Sequence, residues 1–588
     1  MPGLQDFNIV EAADGIRRAY LKFVHNYFSN ISGYHHDVRD INLTFLDLYT
    51  KAIVNPGEMV KVYGFYLDFL NKQQQAWYQV FVDSQSMPPV EPQKGDKRFL
   101  SEEWNIKPYF NFIKQNYLLA EKFAQQIVDE VEIDEKIRKK LDFYVGQYMD
   151  ALSPANFLFT NPEAIKLALE TKGESLWKGF SNLVGDIEKG KITQTDESAF
   201  EVGKNLGITP GTVVYENELI QLIQYTPSTK NVSEIPLLII APWINKFYIL
   251  DILPKNSLIK FLIDQGITVF IISWRNPQPG INHTTFDDYV EEGAIKAIDV
   301  VKNITNTKKI NTLGYCLGGS LLSVACSILA QREKENPVNT ATFLASMVDF
   351  SYIGPMGDVI DGALMKKLER GELLKNGILH GHDMETAFNL IRSNDLIWSY
   401  VVNNYLKGIT PTAFEVIYWT NDNTNLPANM YLFYMKEMIV GNKLSRRNAL
   451  RICNTPIDIS KIDFPVYVIG LKEDYISPAK TCFTTTKLVS GSVEFILGGS
   501  GHVMGAINPP YKKKYGYYMD GKLGYEFEDW VNTAHFYEGS WWTPWSEKLK
   551  KNSGKEIPAP AKPGNSTYKA IEPAPGSYVK EKCGGLSR

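Results

Sequence analysis

The first 198 residues carry apolar side chains at helical spacing. One set of large apolar residues recurs at intervals of three, four and seven, which places its members on one stripe of a helix. This stripe consists of Met59, Tyr63, Tyr66, Leu70, Trp77 and Phe81. The simpler interpretation is a helix packed on its neighbours, and the alternative is a surface for a partner or an apolar body. Further helices are predicted from Pro108 to Val131 and from Ile133 to Leu152, and Asn161-Pro162-Glu163 has the pattern of a helix start.

The pattern changes between Thr195 and Pro210. Two segments beyond it, 213–215 and 219–225, predict paired strands. Short continuous apolar runs follow, as expected of strands buried on both faces. The predicted later strands are 237–240, 269–272, 310–313, 464–470 and 493–497, with helical segments at about 257–265 and 288–302. Because strands alternate with helices, the sequence predicts an open parallel sheet and an α/β fold.

This pattern divides the chain into two predicted domains. Residues 1–198 form a mostly helical N-terminal domain, and residues 199–588 form the catalytic domain. The segment from about 350 to 461 is aromatic, helix-rich and too long for a loop in a compact domain, so we interpret it as a cap over the active site. From about Ser553 onward the chain is rich in Pro, Gly, Ala and Lys, and we expect it to be extended or weakly structured.

Composition narrows the class of protein. The 588 residues are 44% hydrophobic and 22% charged, as in a globular chain with a sizeable core. The net charge of −4 offers no basic excess for nucleic acid. The N-terminal stretch Met1–Asp6 lacks a signal-peptide pattern, and no window approaches 18 uncharged apolar residues, so neither a signal peptide nor a transmembrane helix is expected. Five scattered cysteines without a C-x-x-C pair fit a reducing cytosol.

One short glycine-rich stretch predicts the chemistry. Residues 314–318, Gly-Tyr-Cys-Leu-Gly, have the form of a nucleophile elbow, with Cys316 where a lipase carries serine. An apolar run precedes it and a helix-compatible run follows it, so the context is strand–turn–helix. Gly314 and Gly318 leave room for a strained backbone. The helix N-terminus beneath the sulfur favours a thiolate. The alternative is a glycine-rich turn that holds a buried cysteine.

A cysteine nucleophile needs a base and a group that orients the base. On an elbow of this type the chain order is nucleophile, acid, histidine. Asp474 follows the predicted strand 464–470, and His502 follows the strand 493–497 in a glycine turn, so we expect them to be the acid and the base. Two alternatives to this role for Asp474 remain. Asp474 could be a solvated turn residue, or its neighbour Glu473 could be the acid. The pair His380 and His382 has no further ligands nearby, so no metal site is expected.

Attack on a thioester or ester carbonyl creates an oxyanion that two backbone N–H groups should face. We expect one from Leu317, directly after the nucleophile, and one from the loop 241–245, where Trp243 and Ile244 are the candidates and Ile244 is preferred. Cysteine suits acyl transfer because an acyl-cysteine is itself a thioester and passes its acyl group readily to a hydroxyl. It is less expected for ordinary lipid hydrolysis.

Segments that resemble those of one known protein family are spread over nearly the whole chain. They comprise 96–99 with Trp104, 209–211 with 213–217, 242–251, 273–277, the elbow 314–319, 418–419 with 424–427, 500–502 with Gly505, and 508–510. In this combination the chain resembles the class I poly(3-hydroxyalkanoate) synthases, bacterial polyester polymerases of the α/β-hydrolase superfamily.

The resemblance carries several implications. Cys316, Asp474 and His502 would be the catalytic triad, which favours Asp474 over Glu473. The substrates would be (R)-3-hydroxyacyl-CoA thioesters, chiefly (R)-3-hydroxybutyryl-CoA, and no cofactor is implied. The family works as a homodimer on cytoplasmic polymer granules, and its N-terminal region is concerned with granule binding, dimerisation or partner proteins.

Two other functions remain open at this point. One is an acyl-CoA thioesterase or polyester depolymerase on the same scaffold, in which water replaces the hydroxyl acceptor. The other is a non-catalytic granule-coat protein. The intact Cys, Asp and His in the expected order argue against the second.

Overall fold

The computed structural model describes residues 38–278, 283–360, 362–371, 374, 376–524 and 526–583. The stretch Met1–Asp6, expected to carry no signal peptide, lies outside the described residues, as do the last five residues of the tail. The chain falls into two compact units, Met1–Asp196 with Thr386–Ala413 and Glu197–Glu385 with Phe414–Arg588.

The first unit is built from helices, as the sequence predicts. They are α1 Val38–Val54, α2 Pro56–Phe81, α3 Glu103–Ile106, α4 Pro108–Glu130, α5 Glu135–Leu152, α6 Pro162–Glu170 and α7 Glu174–Lys189. The predicted helices over 108–131 and 133–152 are confirmed as α4 and α5. The predicted start of α6 is also confirmed, since the Asn161 side chain accepts a hydrogen bond from the Ala164 amide at 3.0 Å.

The aromatic stripe on α2 is exposed. All six residues of the stripe are at least 40% exposed. The helix instead buries Ala76 and Val80, and Phe69 stacks on Phe123 of α4 at 5.2 Å. The interpretation of the stripe as a packed face is therefore wrong, and the alternative of an exposed apolar surface describes it better.

A segment from the predicted insertion 350–461 belongs to this helical unit. Residues 386–413 contribute Trp398 and Tyr405 to an apolar cluster with Leu183 of α7. The Tyr405 hydroxyl donates to Asp186 at 2.8 Å, and the Gln147 amide donates to the Leu390 carbonyl at 2.8 Å. The interval predicted as one cap is thus divided between the two units.

The second unit is organised around an eleven-stranded sheet. Its strands are β1 Gly211–Glu216, β2 Ile220–Tyr225, β3 Leu237–Ile240, β4 Val269–Trp274, β5 Ile310–Tyr315, β6 Val338–Leu344, β7 Val466–Leu471, β8 Val493–Gly498, β9 Tyr517–Met519, β10 His535–Tyr537 and β11 Glu572–Pro573. The order across the sheet is β10-β9-β8-β7-β6-β5-β3-β4-β2-β1-β11.

The centre of this sheet is parallel and both flanks are antiparallel. Strands β8, β7, β6, β5, β3 and β4 pair in parallel, whereas β2, β1 and β11 on one side and β9 and β10 on the other pair antiparallel. Strands β3, β4, β5 and β7 are buried along their whole length, which explains the continuous apolar runs 237–240 in β3 and 269–272 in β4. The predicted parallel sheet is confirmed. The carboxyl ends of its central strands meet at one edge, where ligands bind in such folds.

Helices connect and flank these strands. α8 Leu258–Asp264 lies between β3 and β4, α9 Lys296–Thr305 continues a π-helical turn Tyr289–Ile295, and α10 Leu317–Arg332 follows β5. The remaining helices are Phe286–Asp288, Pro355–Val359, Gly362–Glu369, Gly381–Ile391, Glu415–Asn421, Ala428–Phe433, Ala479–Phe483, Thr485–Leu488, His502–Ala506, Phe527–Thr533 and Trp542–Lys551, with π-helical segments at Asn394–Trp398, Val401–Leu406 and Tyr434–Val440. The stretch 350–461 is therefore helix-rich, as expected.

The C-terminal tail is extended, as predicted, but it is not weakly structured. Glu556–Pro558 pairs antiparallel with Asn231–Ser233, and β11 pairs with β1 at the edge of the main sheet. Farther along, Arg275 lies over the Tyr578 ring at 4.8 Å. Unpaired backbone groups at a sheet edge accept any extended segment of suitable register, so a proline-rich sequence is ordered here by its partner strand.

Candidate active site

Cys316 occupies a strained turn between β5 and α10. Its backbone has φ 53° and ψ −125°, a conformation that a residue with a side chain rarely adopts. The glycines around it are sterically required: a Cβ on Gly314 would lie 2.3 Å from Gly319 Cα, and a Cβ on Gly318 would lie 2.0 Å from the Ile240 carbonyl oxygen. Cys316 therefore lies between the end of β5 and the N-terminus of a 16-residue helix, and its thiol is partly exposed.

The structure brings His502 and Asp474 together. His502 Nδ1 lies 2.7 Å from Asp474 Oδ2, and both side chains are buried. The other carboxylate oxygen, Oδ1, accepts hydrogen bonds from the Ile476 and Ser477 amides, each at 2.8 Å. These bonds fix the plane of the carboxylate, which in turn fixes the imidazole. The rival Glu473 is exposed.

The charges around His502 favour its protonated form. Burial lowers the pKa of His502, but the negative charges of Asp474 and Cys316, with hydrogen bonds to the same two groups, outweigh burial and raise this pKa well above its usual value. An imidazole with a raised pKa holds a proton taken from a neighbour more firmly. The site is therefore suited to proton transfer from the Cys316 thiol to His502 Nε2.

Tyr315, the residue before Cys316, packs against His502. Its ring stacks on the imidazole with 5.4 Å between the centroids and 24° between the planes, and its hydroxyl donates to the His502 carbonyl at 3.3 Å. This contact was not predicted from the sequence. The sequence offered one signal for this contact, the position of Tyr315 inside the elbow. The Tyr315 side chain must point away from the Cys316 side chain, so it is available to pack against another part of the site.

The two residues expected to line an oxyanion hole lie at the same edge of the sheet. Leu317 is the first residue of α10, so its amide has no acceptor within the helix. Ile244 lies in the loop after β3, which is tied down on both sides: the Asn245 amide donates to Thr424 Oγ1 at 3.1 Å, and that hydroxyl donates to the Trp243 carbonyl at 3.0 Å.

A buried charge cluster holds the next residue of this loop. Lys246 Nζ lies 2.8 Å from Asp422 Oδ1, and both side chains are almost fully buried. Tyr248 donates to Asp422 Oδ2 at 3.0 Å, and Lys582 from the tail reaches Oδ1 at 2.8 Å. The Trp419 indole donates to the Lys246 carbonyl at 2.7 Å. The loop after β3 is thus anchored to residues 419–424 and to the tail, contacts that no sequence pattern indicated.

Among the described residues, the other cysteines and histidines are not part of this arrangement. Burial is the first cause that raises the pKa of each of the remaining four thiols, Cys326, Cys453, Cys482 and Cys583. His382 lies 3.4 Å from Glu385. Within the described ranges, no group of three or more His, Cys, Asp or Glu side chains could hold a metal ion. Over the same ranges, no helix combines the length and apolar character needed to cross a bilayer.

The sheet and the site together define an α/β-hydrolase-fold enzyme. A central parallel sheet carries the strained cysteine after β5, and a carboxylate–histidine pair follows β7 and β8. Residues 243–509 match the family described as alpha/beta hydrolase fold.

Relatives specify the family within this class. Residues 95–262 match the family described as Poly-beta-hydroxybutyrate polymerase (PhaC) N-terminus. The chain is 42% identical over 492 residues to the poly(3-hydroxyalkanoate) polymerase subunit PhaC of Cupriavidus necator, covering 83% of each chain. It is 41% identical over 502 residues to the poly(3-hydroxyalkanoate) polymerase of Methylorubrum extorquens, covering 84% of this chain and 82% of that one. The chain belongs to the poly(3-hydroxyalkanoate) polymerase family, and it is an enzyme of the acyltransferase class.

Solved structures with a weak similarity to part of this chain include a lipase. A monoacylglycerol lipase from Paleococcus ferrophilus is 13% identical, covers 48% of this chain and 90% of its own, and has a TM-score of 0.30. That similarity is too slight to bear on the function.

Proposed function

We propose that this enzyme polymerises (R)-3-hydroxyacyl-CoA thioesters, principally (R)-3-hydroxybutyryl-CoA, into a polyester with release of CoA. The observation that carries the proposal is the strained Cys316 elbow on the same sheet edge as the buried His502–Asp474 pair, in a chain that belongs to a polymerase family. A cysteine nucleophile suits a reaction whose donor is a thioester and whose acceptor is a hydroxyl.

The first half-reaction acylates the enzyme. His502 Nε2 takes the proton of the Cys316 thiol, and the thiolate attacks the thioester carbonyl. The Leu317 and Ile244 amides stabilise the resulting oxyanion. The intermediate collapses, the bond from carbonyl carbon to CoA sulfur breaks, and His502 returns its proton to the departing sulfur. Asp474 keeps the imidazole in the tautomer that receives the proton on Nε2.

The second half-reaction forms the ester. His502, oriented or directly assisted by Asp474, removes the proton from the 3-hydroxyl of another unit, and this oxygen attacks the acyl group on Cys316. A new carbon–oxygen bond forms, the carbon–sulfur bond breaks, and the proton returns to the sulfur. Repetition lengthens the chain. The helix-rich residues after β6 exclude water, which would otherwise end elongation by hydrolysis.

The experiment supplies (R)-3-hydroxybutyryl-CoA, follows free CoA with a thiol reagent and separates acyl products by size. We expect CoA and high-mass polyester together. CoA with free 3-hydroxybutyrate alone would make the protein a thioesterase. If no CoA appears with this donor or with 3-hydroxyoctanoyl-CoA, the protein is a scaffold. Cys316→Ala is expected to abolish CoA release, and the matched variant Cys453→Ala, which removes a partly exposed thiol outside the site, is expected to retain it.

We also propose that the enzyme works as a homodimer on the surface of cytoplasmic polymer granules. The exposed aromatic stripe on α2 supports an apolar contact of this kind, because contiguous exposed aromatics are usual at interaction surfaces. Replacing Tyr63 and Trp77 with serine tests it by co-sedimentation with amorphous polyester and by sedimentation velocity. Unchanged binding and unchanged mass in both measurements would reject the role of this stripe.

A further inference from the structure

Tyr434 lies close enough to Cys316 to interact with it electrostatically. In the sheet, β5 stands between β3 and β6, and Cys316 follows β5. Trp243 follows β3, and Phe350 follows β6. The Tyr434 ring meets both of them edge-on, with centroid distances of 5.9 Å to Trp243 and 6.0 Å to Phe350. A side chain that contacts the segments following both flanking strands bridges the two sides of β5, which places the phenol near the carboxyl end of that strand.

The Tyr434 side chain is largely buried, but its hydroxyl oxygen is open to this pocket. The residue is 7% exposed, and among the described residues none forms a hydrogen bond with its hydroxyl. A hydroxyl that is open to the pocket and has no protein partner is available to a ligand bound beside Cys316. The aromatic rings of Trp243 and Phe350 fix the direction of the phenol, because they leave it little freedom to rotate away.

Electrostatics agree with this placement. Burial and then the negative charge of Cys316 raise the pKa of Tyr434 well above its usual value. The hydroxyl therefore keeps its proton at neutral pH and remains a donor as well as an acceptor. Tyr289, whose ring meets the same Trp243 at 5.8 Å, also has a raised pKa, but burial alone causes it.

From this geometry we infer that Tyr434 is a substrate-binding residue whose hydroxyl forms a hydrogen bond with the 3-hydroxyl of the acyl unit on Cys316. The inference rests on the proposed function. In the proposed mechanism, the backbone amides of Leu317 and Ile244 already donate to the oxyanion. The 3-hydroxyl lies two carbons beyond the carbonyl carbon and needs a partner on another wall of the pocket. A phenol can both donate to and accept from a hydroxyl.

The test compares single-turnover acylation of Cys316 by (R)-3-hydroxybutyryl-CoA and by butyryl-CoA, which lacks the hydroxyl. Released CoA and the mass of the acylated protein give the rate. Tyr434→Phe removes one oxygen atom and keeps the ring contacts. We expect it to slow acylation by the hydroxylated thioester about 10- to 100-fold and to leave the butyryl rate within about twofold, because a site built to bind a hydroxyl discriminates through that contact. The matched control Tyr289→Phe is expected to change neither rate.

Two results would overturn the inference. An equal loss with both thioesters, in a Tyr434→Phe variant that melts at the wild-type temperature, would make the phenol an oxyanion donor instead. No loss with either thioester would show that the phenol does not touch the substrate. The wild-type enzyme supplies a check that needs no variant: it should acylate faster with the hydroxylated thioester by the same factor, and equal rates would also reject the contact. Failure of the proposed function looks different, since the wild-type enzyme would then either release CoA from neither thioester or convert (R)-3-hydroxybutyryl-CoA to CoA and free 3-hydroxybutyrate without polyester.

Discussion

Replacing Asp474 with asparagine should damage the site more than the loss of one charge suggests. Asp474 Oδ1 accepts two backbone N–H bonds, from Ile476 and Ser477, at 2.8 Å each. An asparagine at this position would keep its carbonyl oxygen on these two donors, because its NH₂ group cannot accept them. The NH₂ group would then face His502 Nδ1 at the place where Oδ2 now lies, 2.7 Å away.

This arrangement imposes the wrong tautomer. Facing an N–H donor, His502 Nδ1 must be unprotonated, so the single proton of the neutral ring moves to Nε2, the atom that has to receive the thiol proton. The variant also loses the charge that raises the pKa of His502, whereas burial, which lowers it, remains. A loss of about 10³- to 10⁴-fold in the acylation rate at neutral pH is expected from a wrong tautomer in such a triad.

The assay is single-turnover CoA release from (R)-3-hydroxybutyryl-CoA between pH 6 and pH 9, with Glu473→Gln as the matched control. Hydroxide deprotonates the Cys316 thiol without help from His502. The acylation rate of Asp474→Asn should therefore approach the wild-type rate as the pH rises. The control, an exposed carboxylate one residue away, should stay near wild type. An asparagine variant that retains more than a tenth of the wild-type rate at neutral pH would refute this account of the triad.

Three other outcomes are expected. Iodoacetamide should modify Cys316 before the other four thiols, whose pKa values are raised, and peptide mapping that finds another cysteine alkylated first would contradict this. Gly318→Ala, whose new Cβ would lie 2.0 Å from the Ile240 carbonyl oxygen, should slow acylation at least about 100-fold, and a normal rate would show that the elbow tolerates displacement. Asp422→Ala should cost about 3–5 kcal/mol of unfolding free energy because it leaves a buried lysine unpaired. Lys582→Ala, at an exposed partner of the same carboxylate, should cost less than about 1 kcal/mol, and equal urea midpoints for the two variants would contradict the burial argument.

The sequence was informative where local physics dictates structure. Strands buried on both faces favour continuous apolar runs, so β3 and β4 could be predicted from the sequence. The elbow could be predicted because a turn at φ 53° requires glycine neighbours. The loop that carries Asp474 and the glycine turn that carries His502 followed from the order of the strands, whereas the choice of Asp474 over Glu473 came from the family resemblance. These features depend on neighbours within a few residues or on a topology shared by the fold class.

Features set by distant partners could not be predicted. Helical periodicity shows that the stripe on α2 lies on one face, but it does not show whether anything covers that face. Composition indicated that the tail is extended, but the order of residues 572–573 comes from pairing with β1. The contacts of Tyr315 with His502 and of Tyr434 with Trp243 join residues far apart in the chain, and no spacing rule relates them.

The pairing of β11 with β1 also affects how the protein is made. Thr212, in the first strand of the sheet, pairs with Pro573, in the last. A nascent chain therefore exposes the open edge of β1 throughout the synthesis of the catalytic unit, until residues 572–573 have left the ribosome. Unpaired strand edges invite association between chains, and contacts this distant in sequence form slowly. Translation speed and chaperone supply should therefore influence the yield of folded enzyme more strongly than its final stability does.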